Sequence, residues 1–134
     1  MHSPVIRFRI DFAENSSVGP GKIGLLEAIR SSGSISQAAR DLGMSYRRAW
    51  LLIDSVKTAF RKPVTMATTG GKGGGGVALT EFGEGLVESY RALERDIAPL
   101  AQQRLRAVSA AVARQTASKT AAARRPLGRR AGHR

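Results

Sequence analysis

Tyr46, Arg47 and Arg48 place a phenol and two guanidinium groups side by side, directly after Ser45, a residue type that caps helices. If a helix begins there, the cations oppose its macrodipole, and that cost points to an anionic partner. The chemistry such a trio offers is recognition. Arginine forms bidentate hydrogen bonds to phosphate or guanine, and tyrosine meets a phosphate, a thymine methyl group or a local neighbour. A second candidate is Gly70-Gly-Lys-Gly-Gly-Gly-Gly76, a lysine set among glycines. Its spacing is not that of a phosphate-binding P-loop, which needs a wider gap before its Gly-Lys pair, then Ser or Thr and a helix. Here Gly73 follows Lys72 and β-prone Val77-Ala-Leu79 follows the glycines, so the run reads as a hairpin tip. Its bare backbone can approach a polyanion while Thr69, Gly70 and Lys72 meet phosphate.

Catalysis finds no support. His2 and His133 lie at opposite ends without partners at metal-ligand spacing, and Asp41 and Asp54 fall in helical segments where solvent or a nearby arginine accounts for them. No enzymatic activity, metal or cofactor is expected.

The 134 residues, 42% hydrophobic and without cysteine, suit one compact domain with no disulfide. Arg7, Arg9, Asp11 and Glu14 interrupt the start of the chain, which resembles neither a signal peptide nor a membrane span. The expectation is a cytoplasmic, nucleoid-associated protein with no membrane partner. The net charge of +12 is uneven: residues 104–134 carry Arg104, Arg106, Arg114, Lys119, Arg124, Arg125, Arg129, Arg130 and Arg134 and no acid. Sequence-independent, salt-sensitive attraction to polyanions therefore resides mostly in this tail, and specificity in residues 1–103.

The elements that must position these groups follow from periodicity. Val5 to Phe12 alternates, with Ile6, Phe8, Ile10 and Phe12 on one face of a strand; Glu14 to Gly21 reads as a loop. A helix from Lys22 buries Ile23, Leu25, Leu26 and Ile29 and stops at Gly33. Ser34 caps a helix over Ser36 to Leu42, Gly43 makes the turn, and Ser45 caps a third helix, Tyr46 to Phe60. Leu42, Met44, Ala49 and Leu52 are expected between those two helices, and Trp50 is expected to brace the third against the hairpin or the first strand. Ser34, Ser36 and Gln37 can serve as caps or as phosphate contacts. Val64 to Thr69 and Val77 to Leu79 form the hairpin. Thr80, with Glu81 and Glu84, starts a long helix whose Leu86, Tyr90, Leu93, Ile97 and Leu100 form a seam for homodimerisation, with a kink or a restart expected near Arg95 to Pro99. Beyond Val108 the composition predicts disorder in isolation, with transient helix in the alanine-rich part.

Gly33-Ser-Ile-Ser-Gln-Ala-Ala39, Met44-Ser-Tyr-Arg-Arg-Ala-Trp50 and, above all, Thr68-Thr-Gly-Gly-Lys-Gly-Gly-Gly-Gly-Val-Ala-Leu-Thr80 resemble the N-terminal DNA-binding domain of the ModE family of bacterial molybdate-responsive transcriptional regulators, related to the LysR-type winged helix domain. The resemblance covers residues about 5 to 100. It implies a mainly α fold with a small β wing: a winged helix-turn-helix with an N-terminal strand and a long C-terminal dimerisation helix. The C-terminal molybdate-binding region of that family is not expected in this chain, so direct molybdate sensing is not expected either; the chain either regulates something else or takes its signal from a separate sensor protein.

The expected organisation is a DNA-binding domain over 1–103, with the dimerisation helix at about 80–103, and a basic tail over 104–134. The expected function is a sequence-specific transcriptional regulator that binds a palindromic operator in double-stranded DNA as a homodimer. Arg47 and Arg48 would contact bases, while Ser34, Ser36, Gln37, Ser45, Tyr46, Lys57, Thr69, Gly70 and Lys72 complete the DNA-binding set. The alternative is an architectural, nucleoid-type protein driven by its tail.

Overall fold

The computed structural model of the chain describes residues 3–69 and 75–112. In chain order the elements are β1 (Ile10–Ala13), β2 (Ser16–Val18), α1 (Pro20–Ser32), α2 (Ile35–Asp41), α3 (Tyr46–Phe60), β3 (Thr65–Thr68), β4 (Gly76–Leu79) and α4 (Glu81–Arg104). Backbone packing divides the chain into two units: Arg7–Glu94, and Met1–Ile6 together with Arg95–Arg134. The fold is mainly α with two small antiparallel hairpins, β1-β2 and β3-β4.

In the Arg7–Glu94 unit, the expected N-terminal alternation appears in burial but only partly as a strand. Phe8 and Ile10 turn inward while Arg7, Arg9 and Asp11 are exposed, yet pairing begins only at Ile10. The segment read as a loop contains β2, because Asn15 adopts a left-handed φ of 63° that reverses the chain and pairs Ile10 with Val18. Val18 is buried as a result. Phe12 departs from the expected face. It is exposed at the rim of a 610 Å³ apolar groove, edge-on to Phe60 at 5.3 Å, with Phe82 and Leu86 on the same wall.

Helix α1 starts at Pro20, where the missing amide proton costs nothing, and ends at Gly33 in the left-handed conformation. Its Ile23, Leu25, Leu26 and Ile29 are all buried at the centre of the core, beside Ala38 and Ala39 of α2, Ala49, Ile53 and Val56 of α3, and Val87 and Tyr90 of α4. The small residues of α2 let the helices approach closely. Met44 and Leu52 pack partly against this core, but Leu42 does not join it. As the C-cap residue of α2 it lies on the turn and is exposed.

Helix α4 lies over this core through its first half. Thr80 caps it, accepting from Gly83 N–H at 3.0 Å while donating to the carbonyl of Pro63 at 2.8 Å. Arg91 clamps α4 to α1 with a bidentate pair to Glu27 at 2.6 and 2.8 Å and also holds Glu94 at 2.7 Å. Arg30 reaches Glu84 at 2.8 Å and Glu88 at 3.3 Å. Pairing with Arg91 holds the Glu27 carboxyl below the usual carboxylate range. The helix runs unbroken through Pro99, so the expected restart near Arg95 does not occur.

In the other unit, residues 106–112 are helical, Gln102 donates to Ser3 Oγ at 3.2 Å, and Leu100, Leu105, Val108 and Val112 are exposed. The expected tail beyond residue 112 lies outside the described residues.

Candidate nucleic-acid interface

The turn between α2 and α3 is built from local signals. Ser34 Oγ accepts from Gln37 N–H at 3.0 Å and starts α2; Ser45 Oγ accepts from Arg48 N–H at 3.0 Å and starts α3. Between them Gly43 takes a φ of 68°, which a side chain would disfavour. Ala49, Ile53 and Val56 anchor the inner face of α3. Arg47, Trp50, Leu51 and Asp54, spaced i, i+3, i+4, i+7, therefore share its solvent face, and all four are exposed.

Electrostatically, this face is unsatisfied. Among the described residues neither Arg47 nor Arg48 forms a salt bridge, although both sit in the first turn of α3, where the helix dipole is already positive. No acidic residue lies in that turn. Lys57 is on the same helix but ten residues beyond Arg47, about 15 Å along the axis at 1.5 Å per residue, so the two cations stand far apart.

The β3-β4 hairpin is held beside this helix pair by its base. Val77 N–H donates to the carbonyl of Gly33 at 3.0 Å, which fixes β4 to the turn between α1 and α2. The approach is close enough that a Cβ on Gly76 would stand 2.6 Å from that carbonyl oxygen, so glycine is required there. Thr68 Oγ1 accepts from Gly76 N–H at 3.2 Å and closes the last described rung. Ser34, Ser36, Tyr46, Trp50, Gly75 and Gly76 are thereby brought around one 310 Å³ cleft. Thr69 is exposed at the hairpin's outer end; Gly70 and Lys72 lie outside the described residues.

Several expected roles change. Trp50 does not bury its ring: it is 44% exposed and meets Tyr46 edge-to-face at 6.3 Å. It lines the cleft together with Ile35 and Val77, but the serines and glycines that make up most of the remaining wall leave its ring partly open to solvent. The Gln37 side chain is engaged along α2, donating to Asp41 at 2.7 Å and accepting from Arg40 at 2.7 Å, so a phosphate would have to displace those partners. Tyr90, placed on the dimer seam by periodicity, is 3% exposed; it stacks on Phe8 at 4.6 Å and donates to the Phe8 carbonyl at 2.6 Å. Leu86 likewise packs on the chain's own core. Of the remaining seam residues Leu93 and Leu100 are exposed and Ile97 is half-buried.

Leu51 was absent from the expected set. It is 56% exposed, and the signal for it was its position four residues after Arg47, on the side opposite Ala49 and Ile53.

Among the described residues no three His, Cys, Asp or Glu side chains gather as metal ligands, and no helix is long and apolar enough to cross a membrane. No protein-family profile matches the chain. Curated relatives do. The molybdenum-pterin-binding protein MopB of Rhodobacter capsulatus is 43% identical over 83 residues, 62% of this chain and 31% of its own. The molybdenum transport protein ModE of Azotobacter vinelandii is 39% identical over 88 residues, 66% of this chain and 33% of its own. The DNA-binding transcriptional dual regulator ModE of Escherichia coli K12 is 45% identical over 71 residues, 53% of this chain and 27% of its own. The chain thus spans about a third of the length of the curated relatives it matches. Over that matched stretch, the chain belongs to the ModE family.

Proposed function

We propose that the chain is a DNA-binding transcriptional regulator in which α2, α3 and the β3-β4 hairpin act as a winged helix-turn-helix. The observation that carries this reading is the pair Arg47 and Arg48, exposed and without a salt bridge among the described residues, at the start of a helix packed by its opposite face. A helix of this diameter fits the major groove, where its first turns reach base edges. Arg47, on the outer face, is the base reader; Arg48, on the flank, meets bases or phosphate. Ser34, Ser36, Ser45 and Tyr46 surround the adjoining cleft or the helix starts and meet the sugar-phosphate backbone, with Lys57, Thr69, Gly70 and Lys72 extending the track. The DNA-binding regulator among the relatives supports this assignment.

The finer reading is a homodimer that joins through Leu93, Ile97 and Leu100 of α4 and places two α3 helices on half-sites of a palindrome, about one helical turn or a multiple of it apart. Residues 1–103 constitute the reader, and residues 104–134 add non-specific attraction through nine basic side chains.

Binding of the purified chain to fragmented genomic DNA, sequenced at two salt concentrations, tests the assignment. A sharp palindromic motif that persists at the higher salt is expected. Broad recovery that collapses with salt would replace the regulator with an architectural protein driven by its basic tail.

A further inference from the structure

The outer face of α3 carries two kinds of side chain. Arg47 offers hydrogen bonds, but Trp50 and Leu51, one turn further on, offer only apolar surface and an indole N–H. An exposed tryptophan and an exposed leucine next to each other, at 44% and 56%, are costly to leave in water, and no packing need of the core accounts for them, since Ala49, Ile53 and Val56 already fill the inner face. The charges flanking this patch are Arg47, Arg48 and Lys57, with Asp54 the one acid on α3's outer face, so the surface complements a polyanion that also presents apolar groups. The major groove of a duplex is such a surface, because each thymine projects a C5-methyl group beside the hydrogen-bonding edges of its neighbours.

Resting on the DNA-reader assignment above, we propose that Trp50 and Leu51 read thymine C5-methyl groups in the major groove beside the base pair met by Arg47. From Arg47 to Leu51 the helix advances about 6 Å at 1.5 Å per residue. Base pairs are spaced about 3.4 Å apart, so the thymine lies within about two steps of the arginine's guanine. Tyr46 lies edge-to-face with Trp50 at 6.3 Å beside the cleft, a contact that narrows the orientations open to the indole before DNA arrives.

The test starts from a duplex selected out of a random pool with the full chain. Thymines of that duplex are replaced one at a time by uracil, which removes only the methyl group. For the parent chain, one or two replacements per half-site near a guanine are expected to weaken binding about fourfold each, the equivalent of about 0.8 kcal/mol for one buried methyl-sized group. Leu51→Ala and Trp50→Ala, checked by their melting curves, are expected to bind the thymine duplex more weakly and to lose the penalty for uracil, whereas Arg47→Ala keeps it. Uracil tolerated everywhere by a parent chain that still prefers the selected duplex to random DNA would overturn the methyl-reading patch and leave the DNA reader standing. The same penalty persisting in both apolar variants would also overturn it. So would loss of self-association on replacing Leu51, which would make the patch a contact between copies. Failure to select any duplex would remove the DNA-reader assignment and the patch with it.

Discussion

Arginines on two sides of the Arg7–Glu94 unit are treated in opposite ways. Where α4 lies on α1, Arg91 meets Glu27 and Glu94 and Arg30 meets Glu84 and Glu88, so each cation is neutralised within the chain. At the start of α3, Arg47 and Arg48 meet no carboxylate among the described residues and stand against a helix dipole of the same sign. The contrast separates charge paired within the fold from charge left exposed at its surface. It also makes the two faces separable by experiment: substitutions on the α1 and α4 side should act on stability, and those on the outer side of α3 on binding.

The largest effect expected lies in the shared support of both faces. Ile29 is fully buried where α1 meets the rest of the core, so Ile29→Ala should cost about 2–5 kcal/mol of unfolding free energy in urea titration. DNA binding per folded molecule should be retained; a loss of binding at full foldedness would mean that the two faces are not separable.

Next is the clamp itself. Arg91→Met strands Glu27 and Glu94 at a partly solvated site, at an expected cost of about 1 kcal/mol. The pH dependence sharpens this. Because Arg91 depresses the Glu27 pKa in the folded state, the unfolded chain binds more protons in acid. That contribution is present above the ordinary glutamate range and is lost as the pH falls through the folded pKa. Thermal melts of parent and variant should therefore differ between pH 6 and 8 and draw together as the pH falls below the ordinary glutamate range. A constant gap across that range would assign the loss to packing of the arginine stem instead.

The smallest effect has the opposite sign. Arg48→Ala relieves a cation at the positive end of α3 and should raise stability by about 0.3–1 kcal/mol while weakening DNA binding. Destabilisation would show that Arg48 has a structural partner and does not belong to the outward set.

How far the chain could be read in advance differs along the same line. The caps Ser34 and Ser45, the left-handed glycines Gly33 and Gly43 and the buried stripe of α1 are local signals, and they located the helices that carry Arg47 and Arg48 to within a few residues. The misreadings are non-local. Strand β2 depends on Asn15 turning the chain and on Val18 finding the core, neither of which periodicity encodes in three residues. Tyr90 sat on a regular apolar stripe, but a stripe does not say what covers it; here Phe8 does, through ring and carbonyl together. Trp50 was expected to brace because large rings are usually enclosed, whereas its place on α3 sets it at the edge of an open cleft lined largely by glycines and serines, where it stays 44% exposed. The glycine-rich run that most resembled the family, with Lys72 at its centre, falls largely among residues 70–74, outside the described residues.

The central claim is that the exposed start of α3 reads sequence, and one comparison tests it most directly: the ratio of affinities for a selected operator and for a random duplex of equal length, measured for the parent chain, Arg47→Ala and Lys57→Ala at one salt concentration. Arg47→Ala should lower the ratio by the equivalent of about 1–3 kcal/mol per half-site through relaxed preference at one base pair in each, while Lys57→Ala weakens both duplexes alike and leaves the ratio unchanged. If Arg47→Ala weakens the operator and the random duplex equally, α3 does not read bases through Arg47, and the account of this face is wrong.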